Sequence, residues 1–231
     1  MTSFGKGLRS GIPIALGYFS VSFAFGIMAV EGGLSIGQAL LISMTNMTSA
    51  GQFAGIFIMF QHGSLLEMAL AQLTINLRYA LMSISLSQKL DSSMTTLRRC
   101  FFAFCNTDEI FAVSSSQPGE VGRSFLYGLM LLPYFGWALG TLAGAAAGSV
   151  LPESLRLALG IAIYGMFLAI IIPPARRHKP VRLAVVIAAA LSCFIHYVPP
   201  FSNISDGFAI IVCAVAVSAL IAWLFPVQEA A

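Results

Sequence analysis

The chain has 231 residues, 58% of them hydrophobic and only 9% charged, where an ordinary soluble domain carries roughly 25% charged residues. A formal charge of +3, gathered in loops, is too small to suit nucleic acid and reports membrane topology instead. A transmembrane β-barrel is excluded as well, because its strands would be short and alternating whereas the apolar runs here are long and unalternating. The composition predicts an all-α, polytopic membrane helix bundle, a single domain over residues 1–231, with about six to eight spans in the lipid bilayer.

Crossing the hydrocarbon as helix takes about 20 apolar residues. The first such run extends from Gly11 to Val30, after Lys6 and Arg9. It is longer than the apolar part of a signal peptide and ends in a poor cleavage site, so it reads as a membrane helix. The next three stretches, 37 to 61, 64 to 88 and 100 to 117, are apolar but interrupted by polar or charged groups. Four plain spans follow at 124 to 150, 155 to 174, 181 to 199 and 207 to 225.

Lys and Arg in short loops favour the cytoplasmic side. Eight full crossings would leave Lys89, Arg98, Arg99 and Arg156 outside. If 37 to 88 makes an odd number of crossings and 100 to 122 an even number, only Arg156 remains outside. The second threading is preferred, with a cytoplasmic N-terminus. At least one of the interrupted stretches must then enter the membrane and turn back, or be split into half-helices. Such backbone is tolerated at membrane depth only where it is buried in protein or lines a wet cavity.

The segment I-S-M-T-N-M-T-S-A-G-Q-F-A-G, residues 42 to 55, suits that description. Ser43, Asn46, Ser49, Gly51 and Gln52 supply small or hydrogen-bonding groups there and are candidate solute-binding residues. In Q-L-T-I-N-L-R-Y, residues 72 to 79, Asn76 and Arg78 are further candidates. Facing lipid, Arg78 would cost at least about 2.5 kcal/mol. Glu67 lies too far along the same helix to pair with it and reads as solvated at a membrane edge. Asp108 or Glu109, in F-C-N-T-D-E-I-F, is the expected partner.

Gly136, Gly140, Gly144 and Gly148 recur every fourth residue and lie near one face. They suit close helix packing within the bundle or docking of a second subunit. Pro133 should kink that helix. Leu16-Gly17-Tyr18-Phe19 and Leu132-Pro133-Tyr134-Phe135 share three residues, which does not establish a repeat. Cys100, Cys105, Cys193 and Cys213 show no metal-ligand spacing and read as small buried hydrophobes. His196, at the end of an apolar span, reads as a hydrogen-bonded interfacial residue.

Gly11-x-Pro13, Phe25-Gly26, Ala50-Gly51-Gln52-Phe53, Asn76-Leu77-Arg78-Tyr79 and Thr107-Asp108-Glu109, in this order, closely resemble the AzlC family, the large subunit of branched-chain amino acid exporters of the azaleucine-resistance type. The resemblance covers roughly residues 10 to 150. It implies a secondary transporter of the bacterial inner membrane, not an enzyme and without a cofactor. The implied partner is a small AzlD-type membrane subunit, and the implied cargo is valine, leucine, isoleucine and sometimes methionine, exported at the expense of the proton gradient.

Such a cargo is a zwitterion with an apolar side chain, and broken helices supply hydrogen-bonding backbone ends for it. Residues 43 to 52 are expected to contribute hydrogen bonds, and Arg78 or a helix N-terminus to face the carboxylate. Asp108 or Glu109 is expected to face the ammonium or carry the coupling proton. A passive channel for small ions or solutes is the alternative that polar re-entrant segments leave open. An intramembrane serine protease is disfavoured, because no Gly-x-Ser-Gly element is present.

Overall fold

The computed structural model describes residues 3–148, 152, 165, 168, 171–201 and 204–226. Among them every regular element is a helix: α1 (Phe4–Glu31), α2 (Ile36–Thr45), α3 (Ser49–Phe60), α4 (Leu65–Ser87), α5 (Thr96–Phe104), α6 (Asp108–Ser115), α7 (Arg123–Gly148), α8 (Lys179–Tyr197) and α9 (Asp206–Leu224). Helices α1, α7, α8 and α9 are long and apolar enough to cross a membrane. The expected span at 155 to 174 falls mostly outside the described residues. The chain divides into two compact units, one of residues 1–53 and 76–160, the other of residues 54–75 and 161–231.

The first unit is built on a seam between α1 and α7. A Cβ placed on Gly128 would strike the carbonyl of Phe4, and one on Gly144 that of Phe23. Between them, Gly136 meets Ala15 and Gly140 meets Phe19. Residue numbers rise together on the two helices, so they run parallel. Gly7, Gly11 and Gly26 return the same contact from α1, and the Pro133 ring lies 3.2 Å from where a Gly11 Cβ would stand. The four-residue glycine repeat therefore serves packing within the bundle, where absent side chains let two backbones approach. Both helices continue through their prolines, Pro13 and Pro133.

Two helical hairpins enter this unit from opposite ends. Helix α2 starts beside the end of α1, where Ser35 and Gln38 form a capping box. It descends past Thr141 to Tyr134, whose hydroxyl donates to the Met44 carbonyl at 3.3 Å. The chain then turns at residues 46–48, and the first residues of α3 climb back, placing Gln52 beside Ser43 and Phe53 edge-on to Phe25.

Helix α5 enters from the other end and runs parallel to α7, with Phe101 against Tyr127 and Phe104 against Tyr134. It turns at residues 105–107. Helix α6 then returns along α1, with Glu109 beside Tyr18 and Gln117 accepting from Lys6 at 2.9 Å. Helix plus hairpin thus occurs twice in opposite senses, because the stretch of α4 from Asn76 to Ser87 runs against α1.

The loop before α5 lies at the end where α1 and α7 begin. Asp91 N–H donates to the Val121 carbonyl and Val121 N–H to that of Lys89, while the Arg123 N–H reaches Ser93 Oγ at 3.2 Å. Lys6, Lys89, Arg98, Arg99 and Arg123 therefore share one end, as the second threading requires. Residues 100 to 122 turn back rather than cross.

In the second unit α8 packs on α9. Leu183, Val186, Phe194, Phe208, Val212, Val215 and Trp223 point away from the protein. In water such a surface would be an aggregation liability; its apolar character suits a membrane environment. Glu67, expected at a solvated edge, is instead 3% exposed. The Ser205 hydroxyl donates to it at 2.5 Å and Ser64 Oγ caps its backbone N–H. Only Cys105 is a buried cysteine; Cys100 and Cys193 are exposed and Cys213 is intermediate, Cys100 lining the groove between α4 and α5. His196 is exposed and packs edge-on against Tyr197.

Candidate functional site

The tips of both hairpins line one cavity of about 170 Å³. Thr45, Asn46 and Thr48 reach it from the first tip, Asn106 and Thr107 from the second, and Asn76 and Tyr79 from α4. Liquid water takes about 30 Å³ per molecule, so the space holds about six waters. That is well under the roughly 300 Å³ at which drug-sized pockets begin, so the space suits a small solute.

Unwound backbone at this depth is largely satisfied locally. The Asn46 N–H bonds the Ile42 carbonyl, Cys105 N–H that of Phe102 and Thr107 N–H that of Cys105, while Gly51 N–H reaches Thr48 Oγ1 at 3.3 Å. Helices α3 and α6 both begin at the tips, so their N-terminal backbone dipoles bring positive potential there.

Ser43 and Gln52 stand behind the first tip and do not line the cavity. They form a closed interior chain, with Ser43 Oγ 2.6 Å from Thr141 Oγ1, Gln52 Nε2 donating to Ser43 at 2.8 Å, and Trp137 Nε1 donating to Gln52 Oε1 at 3.1 Å. This chain ties the hairpin to α7. Ser49 is half-buried and Gly51 buried, and neither lines the cavity.

Arg78 pairs with Asp108 at 2.7 Å, and both side chains are about half exposed, 48% and 45%. The guanidinium also lies over the Tyr79 ring, 4.7 Å from its centre, and donates to its hydroxyl at 3.0 Å. Glu109 takes a different partner, accepting from the Tyr18 hydroxyl at 2.5 Å. The same hydroxyl lies in hydrogen-bond contact with Thr107, and the Tyr18 ring stands edge-on to Trp137. The two acids expected to compete for Arg78 are thus divided between Arg78 and Tyr18. Both sit in the first turn of α6, where the helix dipole favours negative charge.

Thr48 falls within the 43 to 52 segment expected to supply hydrogen bonds, whereas Tyr18, Tyr79, Asn106 and Thr107 are site residues that the sequence reading does not assign. The available signal was an Asn followed by a Thr at each interruption, Asn46 with Thr48 and Asn106 with Thr107. Among the described residues no cluster of His, Cys, Asp and Glu has metal-binding geometry.

The family model for the AzlC protein matches residues 13–151. A membrane protein of Archaeoglobus fulgidus is 37% identical over 185 residues, covering 79% of this chain and 80% of its own length. The inner membrane protein YgaZ of Escherichia coli is 25% identical over 197 residues, with 82% and 80% covered. A membrane protein of Helicobacter pylori is 28% identical over 156 residues, with 64% and 68% covered. No solved structure matches. The match spans both hairpins and the helices between them, and the chain belongs to the AzlC family.

Proposed function

We propose that the chain is a membrane transporter that exports the branched-chain amino acids valine, leucine and isoleucine, with the unbranched methionine as an occasional further cargo, from the bacterial cytoplasm. It works by proton coupling and together with a small AzlD-type membrane subunit. The observation that carries the reading is the meeting of two opposed hairpin tips around one small cavity that three asparagines and four hydroxyl-bearing side chains help to line. The paired Arg78 and Asp108 are next in sequence to its lining residues Tyr79 and Thr107. Such an arrangement presents fixed backbone dipoles to a zwitterion within the membrane, which is how broken-helix carriers hold small charged solutes.

In this reading Asn46 and Asn76 touch the solute. Ser43, Ser49, Gly51 and Gln52 hold the first tip in shape, Arg78 biases the site toward the carboxylate, and Asp108 or Glu109 carries the proton. The Lys6 and Arg123 end faces the cytoplasm, following the distribution of positive charge.

The test measures intracellular valine, leucine, isoleucine and methionine in dipeptide-fed cells with and without this gene and the gene for the small subunit. Accumulation in the deleted strain, relieved by re-expression, is the expected result. Equal pools in both strains overturn the reading. Export against a gradient that stops when a protonophore is added separates a coupled carrier from a passive channel.

A further inference from the structure

The groove between α4 and α5 holds a second cavity next to the first. Asn76, Tyr79, Ser83 and Leu86 are spaced three, four and three residues apart and so share one face of α4. The first two line the tip cavity; the next two line a neighbouring space of about 260 Å³. That space exposes mostly apolar surface, with Ile84, Leu86, Leu90 and Phe102 among its walls and Arg99 also lining it. The tip cavity instead has three amide side chains, Asn46, Asn76 and Asn106, and four hydroxyls among its lining residues.

The two spaces share Ala103 and Asn106. At that junction Asn106 Nδ2 donates across the groove to Ser83 Oγ at 3.0 Å. The Asn106 residue is 2% exposed, and its Oδ1 is buried without a hydrogen-bond partner. A buried amide oxygen left unmatched is costly and points to a donor that the protein alone does not provide.

We propose that the two cavities form one bipartite site for an aliphatic α-amino acid. The carboxylate lies among the hairpin tips, the ammonium is received by Asn106 Oδ1 at the junction, and the side chain lies in the apolar space beyond Ala103. Ala103, which offers only a methyl at the junction, is then the residue that sets how large a side chain passes. This inference rests on the transport reading above and assigns to it a specificity residue and a side-chain subsite.

The test follows efflux of leucine and valine from cells that express the full chain with its small subunit and are fed Leu–Leu or Val–Val. Ala103→Leu should cut leucine efflux about tenfold or more while valine efflux falls by less, since aliphatic pockets discriminate one or two methylenes to about this extent. Asn106→Leu should lower both equally. An unchanged leucine-to-valine ratio in Ala103→Leu, with both amino acids still exported, overturns the bipartite site and leaves the transport reading standing. Wild-type cells that export neither overturn both. Ala103→Val gives the same readout with a smaller addition if the leucine variant fails to reach the membrane, and an unchanged ratio there also overturns the proposal.

Discussion

Gly144→Ala should loosen the α1–α7 seam, although a single methyl is added. Its Cβ would fall onto the Phe23 carbonyl oxygen and stand 2.7 Å from the carbonyl carbon, against the 3.4 Å at which ordinary contact begins. The helices must separate locally by more than the 0.7 Å that the carbonyl carbon alone demands, because the carbonyl oxygen lies closer still. Overpacking of this kind costs about 1–3 kcal/mol.

Gly17→Ala is the matched control. Gly17 lies on the outer face of α1 with nothing within 4 Å of an added Cβ. Replacing a mid-helix glycine there should stabilise by roughly 0.5–1 kcal/mol. For a chain of this length each kcal/mol moves the melting point by about 2–4 °C. Thermal unfolding of the full-length protein in detergent, followed by tryptophan fluorescence, should therefore show Gly144→Ala melting several degrees below wild type and Gly17→Ala at or above it. Equal melting of the two variants would refute the reading of the seam as a backbone-to-backbone contact.

Arg78→Ala and Asp108→Asn should each abolish amino acid export while the protein remains in the membrane, as judged by efflux and immunoblotting; full export by both removes the pair from the mechanism. A single cysteine at Ser92, in a background lacking Cys100, Cys105, Cys193 and Cys213, should resist an impermeant thiol reagent applied outside intact cells, and ready labelling would place this end of the unit outside. Deleting a gene for the proposed small subunit should lower export, with unchanged efflux counting against a two-component carrier.

The long helices were legible because apolar length is a direct measure of crossing. Gly11 to Val30, 124 to 150, 181 to 199 and 207 to 225 each fall within a residue or two of α1, α7, α8 and α9, apart from extra turns at the start of α1. The interruptions were legible too, since Asn46 and Asn106 fall at the breaks. The return of the second hairpin could be inferred from Lys89, Arg98 and Arg99, which carry charge to one end.

The first hairpin gave no such signal. Residues 37 to 61 are long enough to cross, and Gln61 and His62 carry no fixed charge that would mark a side. Glu67 was misread because Ser205, which satisfies it, lies 138 residues away. Tyr18 was passed over for the same reason: its partners Thr107 and Glu109 come from the far hairpin, and a tyrosine in an apolar run has many ordinary uses.

The glycine seam also acts as a ruler. Carbonyls of Ala15, Phe19 and Phe23 rest in troughs at Gly136, Gly140 and Gly144, one helical turn apart on each side. A slide of one or two residues would drive those oxygens into side chains, so the pair can shift only by whole turns of about 5.4 Å. Small axial slippage is thereby closed to α1 and α7, which stand as a pair in fixed register beside the two hairpins.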